Sequence, residues 1–224
     1  MGDLQRLIVF DLDGTLIDSR RDLADSANQL LEELGAVPLH EEAIGRMVGE
    51  GAAQLVRRVL AAAGVAANNT ALPRFLDLYS GRMLNHTRPY PGIPESVRAA
   101  RRHARTAVLT NKPADQSRRI LAGLHLAELF EDVVGGDGPW PRKPDPAALV
   151  ALMERAHTAP AETLFVGDSE IDHATASAVG VPCCLAAWGF GYEIFPKERL
   201  TPRDVVVATP ADLAAIVERW VASA

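Results

Sequence analysis

Long hydrophobic runs, cysteine and an excess of positive charge are all scarce in this sequence of 224 residues. No apolar run approaches the roughly 20 residues that a membrane-spanning helix needs, so we expect no membrane contact. The run after Gln5 stops at Asp11, which is too short for a signal peptide. Lys and Arg total 23 against 29 for Asp and Glu, a net charge of −6 that argues against a nucleic-acid surface.

Cysteine is limited to the adjacent pair Cys183-Cys184. Neighbouring cysteines rarely bond to each other, and a chain of this size needs no disulfide. The pair therefore predicts a reducing cytoplasm as the location. Because both lie in an apolar run, we expect them to be small buried side chains of a strand.

Short β-branched runs alternate with helical patterns along most of the chain, as in a βαβ sheet. The runs are mostly continuous in hydrophobicity, which is typical of parallel strands covered on both faces. The sequence therefore predicts an α/β fold with a Rossmann-like, doubly wound parallel sheet. The predicted strands cover residues 7–10, 106–109, 132–134, 163–166, 181–185 and 204–207. The predicted helices between them cover residues 94–102, 115–124, 146–157, 172–179 and 210–220.

One interval, from about residue 19 to residue 88, breaks the alternation because it shows only helical periodicity. Apolar faces run through residues 23–34 and 55–63, and a third helical segment covers about 72–85. The chain then returns through the Pro- and Gly-rich stretch 89–92, which is typical of a hinge. The expected domains are a core formed by residues 1–18 and 89–224, and an all-helical cap formed by residues 19–88, inserted after the first strand.

Two carboxylates, Asp11 and Asp13, come directly after the first predicted strand, and Gly14 lets the chain turn there. In a parallel α/β sheet, ligands bind beyond the carboxyl ends of the strands. Two carboxylates that close need a cation, or one of them must be protonated. Either state suits chemistry in which one carboxylate attacks and the other transfers protons. An ordinary strand-ending turn fits these residues equally well, so this motif alone leaves both interpretations open.

Three later segments place further polar groups where strands end or helices begin. Thr110 and Asn111 follow one predicted strand, and Lys143 lies just before a predicted helix. Asp168 and Asp172 follow another predicted strand. Each has an ordinary alternative, such as a helix cap or a solvated charge. Their recurrence in this order makes one shared site the better interpretation.

These four segments resemble the motifs of the haloacid-dehalogenase-like (HAD) phosphatase superfamily, and the helical insert after the first motif resembles its cap. Within that superfamily the chain is similar to bacterial phosphoglycolate phosphatases. The stretches that carry this likeness are residues 48–55, 134–137 and 164–169. Glu170, Ile171 and the run Pro139-Trp140-Pro141 depart from the pattern of those phosphatases.

The resemblance implies a phosphomonoester hydrolase that acts on a small phosphorylated metabolite. Asp11 would be the nucleophile that forms an aspartyl-phosphate. Asp13 would give a proton to the leaving group and then take one from water. Thr110, Asn111 and Lys143 would hold the phosphoryl oxygens and neutralise the charge that develops on them.

The resemblance also implies Mg²⁺ as the cofactor. Its protein ligands would be the carboxylates of Asp11 and Asp168 and the backbone carbonyl of Asp13, an oxygen set of the kind that Mg²⁺ prefers. Asp172 would orient these groups rather than bind the ion.

Several alternative functions can be compared with this one by the residues that each would need. A dehalogenase would not need Asp13, and a phosphonoacetaldehyde hydrolase would carry a cap lysine, which residues 20–88 lack. A sugar-phosphate mutase is the main enzymatic alternative, although residues 18–28 lack the early cap histidine of that type. A non-catalytic regulatory relative on the same scaffold is the alternative from another class. Such relatives typically lose the nucleophile or the lysine, and both are present here.

Two further side chains are open to more than one interpretation. His173 follows Asp172, and we expect it at a solvated helix position. Trp188 lies in a predicted loop, where it could flank the cap or pack within the loop.

At most one or two of the cap arginines are expected to face the site. Those arginines are Arg46, Arg57, Arg58, Arg74 and Arg82.

Overall fold

A computed structural model gives the fold of this chain and describes residues 6–222. The strands are β1 (Leu7–Phe10), β2 (Ile17–Asp18), β3 (Arg88–Pro89), β4 (Arg105–Leu109), β5 (Asp132–Val134), β6 (Thr163–Gly167), β7 (Cys183–Ala186) and β8 (Val205–Val207). The α-helices are α1 (Arg20–Glu33), α2 (Glu41–Gly45), α3 (Ala52–Ala62), α4 (Ala71–Ser80), α5 (Ile93–Ala100), α6 (Ala114–Gly123), α7 (Ala147–Ala156), α8 (Glu170–Ser177) and α9 (Leu213–Ala222). Across residues 6–222, no helix is both long enough and apolar enough to cross a membrane.

Six strands form one parallel sheet, as the sequence predicts, and their order is β5-β4-β1-β6-β7-β8. The first strand lies in the middle, and its last residue, Phe10, pairs with Val108 of β4 and Val166 of β6. Successive side chains of a strand point to opposite faces. Accordingly, Ile8 and Phe10 belong to one hydrophobic core, and Leu7 and Val9 belong to another on the opposite face. Because β4, β1 and β6 are parallel neighbours, their carboxyl ends lie at the same edge of the sheet.

Helices α1 to α4 form the helical segment that the sequence predicts between the first strand and the hinge. Each long helix buries one apolar face, because its hydrophobic residues recur at helical spacing. These faces include Leu31 of α1, Val59 of α3 and Phe75 of α4, all at most 1% exposed. The short helix α2 is additional to the three segments predicted. Whether residues 19–88 form a separate domain stays a prediction.

The chain crosses between the sheet and the helical segment twice. The two crossings contain the short strands β2 and β3, which pair with each other in antiparallel orientation. The fully buried carboxylate of Asp22 accepts hydrogen bonds from the backbone N–H groups of His86 and Thr87. It also accepts one from the hydroxyl of Thr87, at 2.8 Å. The start of the helical segment is thus bonded to its end.

Most predicted element bounds agree with the structure within two residues. Helix α8 begins earlier than predicted, at Glu170, because Ser169 caps it: the Ser169 hydroxyl accepts from the backbone N–H of Asp172, which lies in the first turn. Cys183 and Cys184 are buried in β7, as predicted, and both are free thiols.

Candidate active site

The ends of β1, β4 and β6 bring together Asp11, Thr110 and Asp168, which are all buried. The backbone N–H of Asp11 bonds to the carbonyl of Val166 at 2.9 Å, and that of Thr110 bonds to the carbonyl of Val134 at 3.0 Å. These bonds continue the hydrogen-bond ladder of the sheet by one residue beyond the end of β1 and by one residue beyond the end of β4. The polar side chains are therefore held by the rigid sheet, which fixes their positions.

Asp168 is the most enclosed of the three, at 1% exposed. The Thr15 hydroxyl lies 3.3 Å from its Oδ1, and the backbone N–H of Gly191 lies 2.8 Å from its Oδ2. Gly14 passes so close that an added Cβ would lie 2.1 Å from Oδ2, and its φ of 87° also favours glycine. The turn after Asp13 is thus shaped to leave room for the Asp168 carboxylate.

Lys143 joins two acids of this site. Its Nζ lies 2.9 Å from Oδ1 of Asp11 and 2.6 Å from Oδ1 of Asp172. The other oxygen of Asp172 accepts from the backbone N–H of Ser169 at 3.1 Å and from its hydroxyl at 2.6 Å. Burial lowers the pKa of Lys143, but Asp11 and Asp172 outweigh it and raise the pKa, so the side chain stays charged.

Negative charge exceeds positive charge in this cluster. Ligand oxygens of Asp11, Asp168 and Asp172 all lie within 4.8 Å of one another, and all three residues are buried. Burial and then the charge of Asp172 raise the pKa of Asp11 to about 7, although Lys143 acts in the opposite direction. Burial, Asp172 and Asp11 also raise the pKa of Asp168 well above its usual range. The single ammonium of Lys143 does not neutralise the three carboxylates. The remaining negative charge, which lies on oxygen atoms, suits a divalent cation.

Asp13 lies beside this cluster and has its own cation, Lys112, which sequence reasoning missed. Nζ of Lys112 is 3.0 Å from Oδ2 of Asp13, and the Ser19 hydroxyl is 2.5 Å from Oδ1. The same Nζ lies 4.5 Å from the ring centroid of Tyr79. Burial lowers the pKa of Lys112, but Asp13 and Tyr79 outweigh it and raise the pKa. Its place directly after the Thr110-Asn111 motif was the sequence signal available.

Asn111 connects the helical segment to the sheet. Its Nδ2 donates to the backbone carbonyls of Gly49 and Lys143, at 2.9 Å each. Both amide hydrogens are therefore used by the backbone, and the predicted contact between Asn111 and a phosphoryl group stays a prediction. Within the described residues, its buried Oδ1 has no hydrogen-bond partner.

A cleft with an empty volume of about 510 Å³ opens over these groups. Its sheet side is polar, with Asp11, Asp13 and Thr110, while its helical side is apolar, with Leu55 and Phe75. None of the five cap arginines is among the described residues that line it. Three of them bind elsewhere: Arg58 to Glu50, Arg74 to Glu33 and Arg82 to Gln29.

A sequence model of the haloacid dehalogenase-like hydrolase family matches residues 8–186 of this chain, from the first strand to the end of β7. The chain belongs to that family.

Named relatives of this hydrolase agree with the match. It is 44% identical to the phosphoglycolate phosphatase of Rhodospirillum rubrum over 199 residues, which cover 85% of this chain and 83% of the relative. It is 41% identical to that of Pseudomonas putida, with 85% and 72% covered. A crystal structure described as a predicted phosphoglycolate phosphatase from Haemophilus somnus superposes with a TM-score of 0.87 at 28% identity. It covers 96% of this chain and 99% of that one.

Two side chains of this hydrolase clarify what the sequence left open. The solvated position expected for His173 is wrong: it is 5% exposed, and its Nε2 lies 3.0 Å from Oδ2 of Asp204. Asp204 lies just before β8, far along the chain, so no local pattern indicated this contact. The Trp188 indole donates to the carbonyl of Thr15 at 3.1 Å and packs edge-on against Tyr90. Trp188 therefore contacts both crossings between the sheet and the helical segment.

Proposed function

We propose that this hydrolase is a Mg²⁺-dependent phosphatase of small phosphomonoesters, with 2-phosphoglycolate as the first candidate substrate. The observation that carries the proposal is the placement of Asp11 between Lys143 and a second buried acid, Asp168, with Asp13 two residues away. The relatives named phosphoglycolate phosphatase support the choice of substrate.

In this proposal Asp11 is the nucleophile. A carboxylate oxygen of Asp11 forms a bond to phosphorus as the ester P–O bond breaks, and the leaving oxygen takes a proton from Asp13. Water then attacks phosphorus and gives a proton to Asp13, and phosphate departs from Asp11. Lys143 and Thr110 hold the phosphoryl oxygens at the end of the sheet.

The carboxylates of Asp11 and Asp168, with the backbone carbonyl of Asp13, are proposed to hold Mg²⁺. Bound there, the ion offsets the repulsion between Asp11 and the phosphate dianion. Asp172 is proposed to orient Lys143 instead of binding the ion, because both of its oxygens already have partners in Lys143 and Ser169. The short distance between Asp11 and Asp168 and the raised pKa values of both carboxyls support a cation held by these two acids.

Residues 19–88 are proposed to act as a cap that excludes water and selects the leaving group. The cap sequence favours a hydrolase over a sugar-phosphate mutase. A mutase must bind a second phosphate while the sugar turns round, yet the described cap residues that line the cleft include no arginine, lysine or histidine. We also propose the cytoplasm as the location, on the sequence argument given for the two cysteines.

The test is phosphate release from a panel of phosphorylated metabolites with Mg²⁺, ranked by kcat/KM, for the wild type and for Asp11→Asn. The substitution is nearly isosteric and removes only the attacking charge. We expect 2-phosphoglycolate to rank first and the variant to be inactive with an unchanged fold by circular dichroism. More than a few per cent of residual activity, with deamidation excluded, would remove Asp11 as nucleophile. Poor turnover of 2-phosphoglycolate alone would remove only the substrate.

A further inference from the structure

The cleft contains one cation that the proposed catalytic steps do not use, the ammonium of Lys112. Its side chain is 6% exposed and lies at the end of β4, next to Thr110 and Asn111. Among the described residues that line the cleft, it is the only one with a positive charge. If a substrate in this cleft has an anionic group, Lys112 is the positively charged lining residue that can bind it.

Lys112 has hydrogen-bonding capacity to spare. An ammonium has three N–H donors, and Oδ2 of Asp13 accepts one of them at 3.0 Å. Tyr79, whose ring centroid is 4.5 Å away, can accept a second through its phenol oxygen, which leaves the third N–H for a bound anion. A bound anion can accept from Lys112 without displacing Asp13.

The hydroxyl of Tyr79 is a second unused polar group in the same place. Tyr79 is 1% exposed, and within residues 6–222 its O–H has no acceptor, because the neighbouring ammonium of Lys112 has only donors. Buried phenols usually have a partner, because an unpaired polar group loses its water without compensation. Tyr79 lines the cleft beside Lys112, so a bound molecule can supply the missing acceptor.

Within the described residues, the cap side of the cleft has no polar side chain other than that of Tyr79. Leu23, Val48, Leu55 and Phe75 line it, and all four are apolar. A second negative charge on the substrate would also be repelled by Asp13 unless a cation lay close to both. Lys112 meets that requirement, since it contacts Asp13 directly.

We infer that Lys112 and Tyr79 form an anion-binding subsite for the leaving group, which selects phosphomonoesters whose leaving group carries a carboxylate. This inference rests on the proposed phosphatase function and adds the residues that recognise the far end of the substrate. The phosphoryl group lies at Lys143 and Thr110, and the carboxylate accepts from Nζ of Lys112 and from the Tyr79 hydroxyl.

A purely positioning role for Lys112, in which it only holds Asp13, makes a different prediction. Loss of such a role would slow every substrate by the same factor. Loss of the subsite slows only carboxylated substrates. The experiment therefore compares two esters of similar size, 2-phosphoglycolate and 2-hydroxyethyl phosphate, which differ by a carboxylate against a hydroxymethyl group.

We expect the wild type to favour 2-phosphoglycolate by about tenfold or more in kcat/KM, the size of a charge-assisted hydrogen bond. Lys112→Met should remove this preference, whatever it does to both rates through Asp13. Tyr79→Phe should reduce the preference severalfold, because it removes the O–H that donates to the carboxylate. Lys197→Met, at an exposed lysine outside the cleft, is the matched control and should keep the wild-type ratio.

Equal losses on both esters in Lys112→Met would overturn the subsite. If that variant does not fold, Tyr79→Phe decides, and an unchanged preference there overturns it as well. A wild type that hydrolyses 2-hydroxyethyl phosphate as well as 2-phosphoglycolate contradicts the subsite but leaves the phosphatase in place. If the wild type releases phosphate from neither ester, the subsite is overturned, and the panel of phosphorylated metabolites then decides whether the phosphatase proposal stands.

Discussion

Nζ of Lys143 lies 2.6 Å from Oδ1 of Asp172, and both side chains are almost completely buried. The contact holds Lys143 over Asp11 and leaves Asp172 without a free oxygen, since Ser169 binds the other one. An orienting acid and a metal ligand should therefore respond differently to loss of charge.

Asp172→Asn should lower kcat by about 10- to 100-fold, as is usual for residues that orient a catalytic group. The Mg²⁺ concentration for half-maximal activity should change little. Asp168→Asn is the comparison, and it should raise that concentration strongly because it removes a proposed ligand. Mg²⁺ titrations of initial rates measure both. A larger metal effect in Asp172→Asn than in Asp168→Asn would reverse the two assignments.

Removing the divalent metal with EDTA should stop the reaction, and Mg²⁺ should restore it. Without the ion, Asp11, Asp13 and Asp168 repel one another and the phosphate dianion. Ca²⁺ should bind but inhibit, because its looser coordination lets Asp11 bind it through both oxygens and lose the attacking geometry. Phosphate release is measured in EDTA and after each ion is added. Full activity in EDTA would rule out the metal-dependent mechanism.

The contribution of Asp11 to the stability of the metal-free protein should fall as pH rises from about 4 to about 7. Burial and the charge of Asp172 raise the pKa of Asp11 to about 7, whereas an unfolded Asp titrates near about 3.9. Between these values the folded state keeps a proton that the unfolded state has released, so a rise in pH favours unfolding. In EDTA, the Tm of the wild type minus that of Asp11→Asn should be lower at pH 7 than at pH 5. An equal difference at both pH values contradicts the prediction.

Gly14→Ala should destabilise the protein more than Gly180→Ala. Both glycines have a positive φ, 87° and 72°, so both substitutions strain the backbone. An added Cβ at Gly14 also lies 2.1 Å from Asp168, while at Gly180 nothing lies within 4 Å. Strain of this kind costs about 1 kcal/mol in each, and only Gly14→Ala adds the clash. Urea unfolding measures both, and equal losses would show that the Asp168 side chain moves away freely.

The sheet and much of the site could be predicted because their signals are local. Each buried strand is a continuous apolar run, and Asp11, Thr110 and Asp168 follow such runs directly. Parallel strands share one carboxyl edge, so these residues had to lie close together. The roles of these residues in catalysis stay predictions.

The contacts that sequence reasoning missed join residues far apart in the chain. Lys112 pairs with Asp13, and His173 pairs with Asp204; each is also a normal residue for an exposed turn or helix. Strands β2 and β3 have two residues each, too few to show an alternating pattern. Pairing choices of this kind depend on tertiary packing, which a local pattern does not contain.

The central place of β1 has a consequence for synthesis on the ribosome. Its two partners, β4 and β6, are translated long after it, and β6 ends only at Gly167. Until then the apolar strand Leu7–Phe10 has at least one unpaired edge, while α1 to α4 are already complete. The growing chain must keep that strand from pairing with other chains, and the acidic cluster at the end of β1 stays incomplete until β6 and Asp168 have left the ribosome.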